Sequence, residues 1–318
     1  MKRFTLVSLF AVAVAFLALP AAGAENWPQK PVQFVVPFTA GGTTDLVARS
    51  LQTPLEKELK TTVVVKNVDG AGGTIGAAAV AAAKPDGYTV GLLPVGPTTL
   101  QPHLRKLPYS RDSFIPVAKL TNNSIVLMVP KDSPYKSLGD LVEDARKNPG
   151  QIAYGSSGPG SLPHVAMEAL ALAVGAKFKH IPDKSGAAAQ KSLLAGMTRV
   201  LPDALPYLER YDVNGLAVFR DERHPSFPDV PTVKESGFAV EIAGIWMGVF
   251  MPAGTPAEIV KAFEQALARA YKAEEVQKVL EANKYDAEYI SGQQFEAFYH
   301  KEYEQNGEIL KAAGLKKD

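Results

Sequence analysis

The chain has 318 residues, with 34 basic and 33 acidic side chains, a formal charge of +1 and no cysteine. Near-neutral charge supplies no attraction for nucleic acid or an anionic membrane surface, and the missing cysteine excludes disulfides, thiol catalysis and thiolate metal sites. The length accommodates two lobes with separate cores, since domains run to about 100–150 residues.

Lys2 and Arg3 open the chain, residues 4–19 are almost uninterruptedly apolar, and Pro20 precedes the small-x-small pattern Ala22-Gly23-Ala24. This reads as a secretory signal peptide over residues 1–24, cut after Ala24; an uncleaved anchor is the alternative. No later stretch reaches the roughly 20 apolar residues of a membrane span. Residues 32–36 form an apolar run between Pro31 and Pro37, the pattern of a buried parallel strand. Leu46, Val47, Leu51, Leu55 and Leu59 then recur at helical spacing. Pro54 inside that stripe is expected to kink or break the helix, because it removes a backbone hydrogen bond. Residues 62–65 read as the next strand, 70–76 as a turn, 75–83 as a small-residue helix and 88–93 as a third strand. This β-α-β-α-β order predicts a parallel, doubly wound sheet with right-handed crossovers.

Apolar runs at 117–120 and 125–129 flank Thr121-Asn122-Asn123, which reads as a crossing into a second lobe. There the pattern gives helix 138–147, strand 152–154, helix 162–174, strand 177–180, helix 187–194, a short strand near Val200 and a strand at 215–219. Phe227-Pro228-Asp229-Val230-Pro231-Thr232 is a rigid connector and 246–251 a return strand. Helices at 256–271, 274–282 and 293–312 close the chain against the first lobe. The expected fold is α/β, two lobes with a doubly wound sheet in each and a hinge between them. Lobe I takes residues 25–122 and 247–318, and lobe II takes 123–246.

Two loops carry the functional signal. One comprises Phe38, Thr39, Ala40, Gly41, Gly42, Thr43, Thr44 and Asp45; the other contains Ser156, Ser157, Gly158, Gly160 and Ser161. Each follows a strand, opens a helix and lacks Lys or Arg, so free N–H groups and a positive dipole end are offered to an anion. Two such loops suit two lobes gripping one small carboxylate. Thr43 and Thr44 also read as N-caps. Asp45 would repel a bound carboxylate, so its expected role is to hold the loop with its oxygens turned away from the ligand. Gly70-Ala71-Gly72-Gly73 does not fit Gly-x-Gly-x-x-Gly, since the sixth position is Ile75. It reads as a structural turn, with Asn67 a further ligand candidate. His164, one turn into the second helix, is a packed or capping histidine or a site residue.

The competing class is an exported serine hydrolase using Ser157 or Ser161 with His164. Gly155-Ser156-Ser157-Gly158-Pro159 lacks the last glycine of a nucleophile elbow, and no His-Glu-x-x-His is present. A binding protein, not an enzyme, without cofactor or metal, is the expectation.

The whole string of motifs resembles the solute-binding proteins of tripartite tricarboxylate transporters, the Bug or TctC family. The matching residues are Pro37-Phe38, Gly41-Gly42, Asp45, Ala48-Arg49, Asn67, Gly70-Ala71-Gly72-Gly73, Gly76 and Lys84-Pro85-Asp86-Gly87-Tyr88-Thr89. They continue with Phe114-Ile115-Pro116-Val117, Tyr154-Gly155-Ser156-Ser157-Gly158, Gly160-Ser161, His164, Pro228-Asp229-Val230-Pro231-Thr232, Trp246 and Pro252-Ala253-Gly254-Thr255-Pro256. The resemblance implies a monomeric periplasmic protein of the type 2 binding fold. It would capture a small organic mono- or dicarboxylate with both loops and deliver it to a membrane permease, or present it to a sensor kinase. The chain departs from the family at His180-Ile181-Pro182-Asp183-Lys184-Ser185-Gly186, where an acid replaces an aromatic, and after Leu193-Leu194, where the usual acid is missing and Asp203 is the nearest substitute. Asp183, Lys184, Asp203 and Arg199 are therefore the candidates for reading the distal end of the ligand.

Overall fold

A computed structural model describes residues 27–183 and 185–316; the signal peptide expected at 1–24, and Lys184, lie outside the described residues. The first lobe is built on β1 (Val32–Val36), α1 (Thr43–Leu59), β2 (Val63–Asn67), α2 (Thr74–Ala81) and β3 (Thr89–Pro94), followed by a wide helical turn at Gly96–Leu100 and the short α3 (Gln101–Leu104). β4 (Phe114–Asn123) completes the outward path, and Ser124 alone separates it from β5 (Ile125–Pro130).

The second lobe continues with α4 (Leu138–Lys147), β6 (Ala153–Ser156), α5 (Leu162–Val174), β7 (Lys179–Pro182), α6 (Gly186–Leu194), β8 (Leu201–Ala204), α7 (Tyr207–Arg210) and β9 (Val213–Val218). The chain returns through β10 (Ile245–Pro252), then α8 (Ala257–Tyr271), α9 (Glu274–Ala282), β11 (Ala287–Ser291) and α10 (Gly292–Ala312). No helix among the described residues is long and apolar enough to cross a membrane.

The two sheets share one strand order. In the first, β2-β1-β3-β10-β4 lie side by side with β11 added at the edge; β1, β2 and β3 are parallel, and β10 runs antiparallel to both neighbours. In the second, parallel β7 and β6 join β8 through a parallel bridge between Tyr154 and Val200, and β5 lies antiparallel between β8 and β9. The order is thus β7-β6-β8-β5-β9, matching the first sheet position by position. In each, the antiparallel strand is the one that has just arrived from the other lobe.

Helix α1 runs unbroken through Pro54, against the expected kink or break. Pro54 is itself buried with Leu51, Leu55 and Leu59. A helix-interior proline costs about 3 kcal/mol, whereas each fully buried leucine contributes about 1.5–3 kcal/mol, so packing outweighs the lost hydrogen bond. The edge strand β11 has no counterpart among the expected elements. It is short and mostly half-exposed, and it is tied down by partners remote in sequence, including an ion pair from buried Lys119 to Glu288 at 2.5 Å. Helix α10 packs against β4 and sets Phe295 edge-on to Trp246 and Tyr299 edge-on to Phe250.

Behind the crossing, Asp286 joins both lobes. Its carboxylate accepts from the Ser124 N–H and hydroxyl, both at 3.4 Å, and from Arg220 at 3.3 Å, and it pairs with His224 Nε2 at 2.6 Å. Its own N–H donates to Asn123 Oδ1 at 2.9 Å. Removing such a carboxylate strands its donors, at a cost of about 1–3 kcal/mol. Asp286→Ala should therefore lower the unfolding midpoint by a few degrees in a thermal melt, with the far-UV circular dichroism of the folded state unchanged.

Candidate functional site

The carboxyl ends of β1, β3, β6 and β8 converge on a cleft of about 870 Å³ between the lobes. Open α/β sheets place their ligand sites there, because successive helices diverge at that edge and leave a crevice. Phe38, Thr43, Thr44 and Gly72 line it from the first lobe, together with the turn after β3 and Gln101 and Arg105 beyond it. Ser157, Pro159 to Pro163 and the segment from Asp203 to Arg210 line it from the second. Asn123, Ile245 and Met247 form its floor, where the strands cross.

The first loop is held from behind. Asp45, 1% exposed, accepts from the Gly41 N–H at 2.8 Å, from Arg49 Nε at 2.8 Å and from Asn67 Nδ2 at 2.9 Å. The same Asn67 amide donates to the Phe38 carbonyl at 2.9 Å, and Arg49 reaches the Asn67 oxygen at 3.2 Å. These donors keep the Asp45 carboxyl below its ordinary value despite the opposing effect of burial. Its charge is thus matched inside the loop, and neither Asp45 nor Asn67 lines the cleft. Gly41 takes φ +81°, the left-handed region that glycine occupies without strain. No side chain caps α1, and Thr43 and Thr44 of its first turn line the cleft.

The second loop is held by a stack of rings. His164 lies 3.8 Å from His180 with planes 14° apart, and His180 lies 4.9 Å from Tyr154. Nδ1 of His164 accepts the Gly160 N–H at 2.9 Å, and His180 Nε2 bonds the Ser156 hydroxyl at 2.7 Å. Ser156 is fully buried, and its Oγ also accepts the Gly158 N–H at 3.1 Å. α5 likewise has no side-chain cap, and the buried Ser161 hydroxyl finds no partner among the described residues. Two uncapped helix starts, one from each lobe, therefore face one space.

Of the expected site residues, Phe38, Thr43, Thr44, Ser157, Gly160, Ser161 and Asp203 line the cleft. Thr39, Ala40, Gly41 and Gly42 form the turn beside it, while Asp45, Asn67, Ser156, Gly158 and His164 support the two loops. Asp183 also lies behind the second loop, its N–H donating to the Ser156 carbonyl at 3.0 Å. Arg199, expected near the distal end, is exposed and neighbours the Tyr135–Asp144 pair. Its backbone N–H bonds Ala153 at the amino end of β6, which directs it away from the cleft. Neither the Ser157 nor the Ser161 hydroxyl bonds a histidine among the described residues, and the Ser156 hydroxyl, which bonds His180, is fully buried. No cluster of metal-ligating side chains occurs among the described residues.

Gln101, Arg105, Asn123, Tyr207, Arg210 and Tyr285 complete the lining and lie outside the two loop signatures. The stretch Gly96-Pro97-Thr98-Thr99, a third turn opening a helix after a strand, is the sequence signal that points toward Gln101 and Arg105. Nothing local marks the others. Lys284 pairs with Glu209 across the mouth, and Tyr285 reaches Thr43. Burial raises Asp203 to about 6.

The family model described as the tripartite tricarboxylate transporter family receptor matches residues 47–315. The fold is similar to that of a TctC solute-binding protein from Polaromonas, at 30% identity and TM-score 0.81, covering 90% of this chain and all of that one. It is also similar to a Rhodopseudomonas palustris protein solved with adipate, at 31% identity and TM-score 0.76, covering 91% of this chain and 99% of that one. A third, MatC of the same organism with bound malate, shares 28% identity with TM-score 0.72, covering 89% of this chain and all of that one.

Burial and the neighbouring His180 ring lower His164 to about 4, against about 6.5 in an unfolded chain. Between these values the unfolded chain binds a proton that the native state does not, so this contribution is present above pH 6.5 and is lost as pH falls toward 4. Thermal melts from pH 7 to 4 should show a falling midpoint. His164→Asn, which keeps an acceptor for Gly160, should show a smaller fall.

Proposed function

The chain belongs to the tripartite tricarboxylate transporter receptor family, and from that premise we propose that it captures a small organic acid in the inter-lobe cleft and delivers it to a membrane permease of that transporter class. The observation that carries this reading is the pair of uncapped helix starts, α1 and α5, meeting across the cleft. Such termini bind carboxylate through backbone amides and dipole, and hydrogen bonds to a charged group contribute about 1.5–3 kcal/mol each. Adipate and malate in the related structures are acids of the class proposed.

In this reading the protein is a periplasmic monomer, released by cleavage after Ala24, that works without cofactor and catalyses no reaction. Its lobes, residues 25–122 with 247–318 and residues 123–246, close as rigid bodies about the Ser124 crossing. Closure buries the ligand's hydrogen bonds and excludes the water that competes for them.

A thermal-shift screen of C4–C8 mono- and dicarboxylates tests the proposal. A matching acid at about 100 times its dissociation constant should add about 2.7 kcal/mol of stability. Silence from every acid would sink the idea. The geometry of closure can be probed at Gly160, which has φ +71° and whose added Cβ would lie 1.9 Å from Leu104 Cδ1 on the opposite lobe. Gly160→Ala places a side chain at a positive φ in the second loop and crowds Leu104, so it should weaken binding by about tenfold or more, equivalent to about 1.4 kcal/mol, with unchanged circular dichroism.

A further inference from the structure

Asp203 stands at the cleft wall in an unusual state for a carboxyl group. It lies in β8, is 6% exposed and lines the cleft. Oδ1 accepts the N–H of Ala204 at 2.8 Å, and Oδ2 reaches only Gln190 Nε2 at a long 3.4 Å. The charged groups that share the cleft are Arg105, Glu209, Arg210 and Lys284, with Tyr207 and Tyr285 beside them. Lys284 is engaged by Glu209, and no ion pair to Asp203 forms among the described residues. From the opposite lobe, Gln101 lines the same cleft with its buried Oε1 unpartnered, and Gln190 Oε1 is buried without a partner as well. Gln190 is not part of the lining, so the under-donated acceptors at the cleft are Gln101 Oε1 and the weakly held Oδ2 of Asp203.

We propose that Asp203 reads a hydrogen-bond donor on the bound acid, so that the ligand is a hydroxy- or amino-substituted carboxylate. This rests on carboxylate capture by the two helix starts and narrows the class of acid. When the lobes close and water leaves, a buried carboxyl held by one full and one long hydrogen bond bears a desolvation cost that is only partly compensated. A hydroxyl or ammonium on the ligand removes that cost, and an alkyl chain does not. Sites built to bond an OH or NH reject the analogue lacking it far more strongly than an apolar pocket rejects an added methylene. With its titration near 6, Asp203 is mostly ionised at neutral pH, and an ionised carboxylate is an acceptor only.

The test is calorimetric titration of the wild-type protein at neutral pH with matched pairs: malate and aspartate against succinate, 3-hydroxybutyrate and 4-aminobutyrate against butyrate. At least one substituted member should bind about tenfold or more tighter than its plain partner. Asp203→Leu, similar in shape and without an acceptor, should erase that ratio, the substituted and plain acids then binding within about threefold of each other, a difference smaller than about 1.4 kcal/mol. Should this variant fail to fold, Asp203→Asn replaces it and should erase the preference for the amino-substituted member. The proposal is overturned if the wild type distinguishes no pair, or if the ratio survives in the folded variant. If no acid binds at all, carboxylate capture itself fails, an outcome distinct from binding that ignores the substituent.

Discussion

The positive ends of α1 and α5 meet across one cleft with no side chain of their own to satisfy them, and most of the surrounding chemistry maintains that arrangement. An uncapped helix start is ordinarily quenched by a serine, threonine or aspartate at its N-cap. Here Gly42 and Ser161 hold the N-cap positions without capping, and the polar groups that could have done so face backward. Asp45 bonds the Gly41 amide and ties Arg49 and Asn67 behind the turn. His164 takes the Gly160 amide into a stack of rings. Each turn is held by bonds on its hidden side, while neither helix start receives a side-chain cap. Rigidity matters because a preformed set of donors loses little entropy when it binds.

The shared strand order explains why the two ends point at each other. A β-α-β unit places the start of its helix at the carboxyl edge of the sheet. Two such sheets, joined by strands that cross over and enter the neighbour antiparallel, bring their carboxyl edges face to face. The crossings also place Asn123, Ile245 and Met247 on the floor of the cleft, next to the Asp286 cluster that ties the lobes together. The floor of the cleft and the crossing strands are one neighbourhood, since Asn123 both lines the cleft and accepts the Asp286 N–H.

Charge in the cleft is sorted by depth. Arg105 and Arg210 are exposed, and Lys284 is spent on Glu209. The buried positions belong to amides, hydroxyls and the carboxyl of Asp203. A guest would thus meet mobile cations first and fixed dipoles last, an order that favours fast encounter at the mouth and selective bonding inside. Family membership accounts for the fold, and the cleft-lining position of Asp203 comes from the way β8 packs.

Much of this was legible in the residues alone, because the features concerned are local. Apolar runs with a period of 2 or 3.6, and glycine- and hydroxyl-rich stretches between them, identify the parallel strands, the long helices and both loops. The support role of Asp45 also follows from the first turn of a helix taken by itself. Pro54 was misleading because the local cost of proline is smaller than the burial of the helix face that carries it. β11, the Asp286 cluster and the meeting of Gln101 with Asp203 could not be read in advance. Each depends on residues 62 or more positions apart, brought together only when the sheets pack. Local periodicity and turn chemistry determine what each segment becomes; which side chains share a buried space, and so what the cleft can select, is decided only by the tertiary fold, because burial and desolvation exist only there.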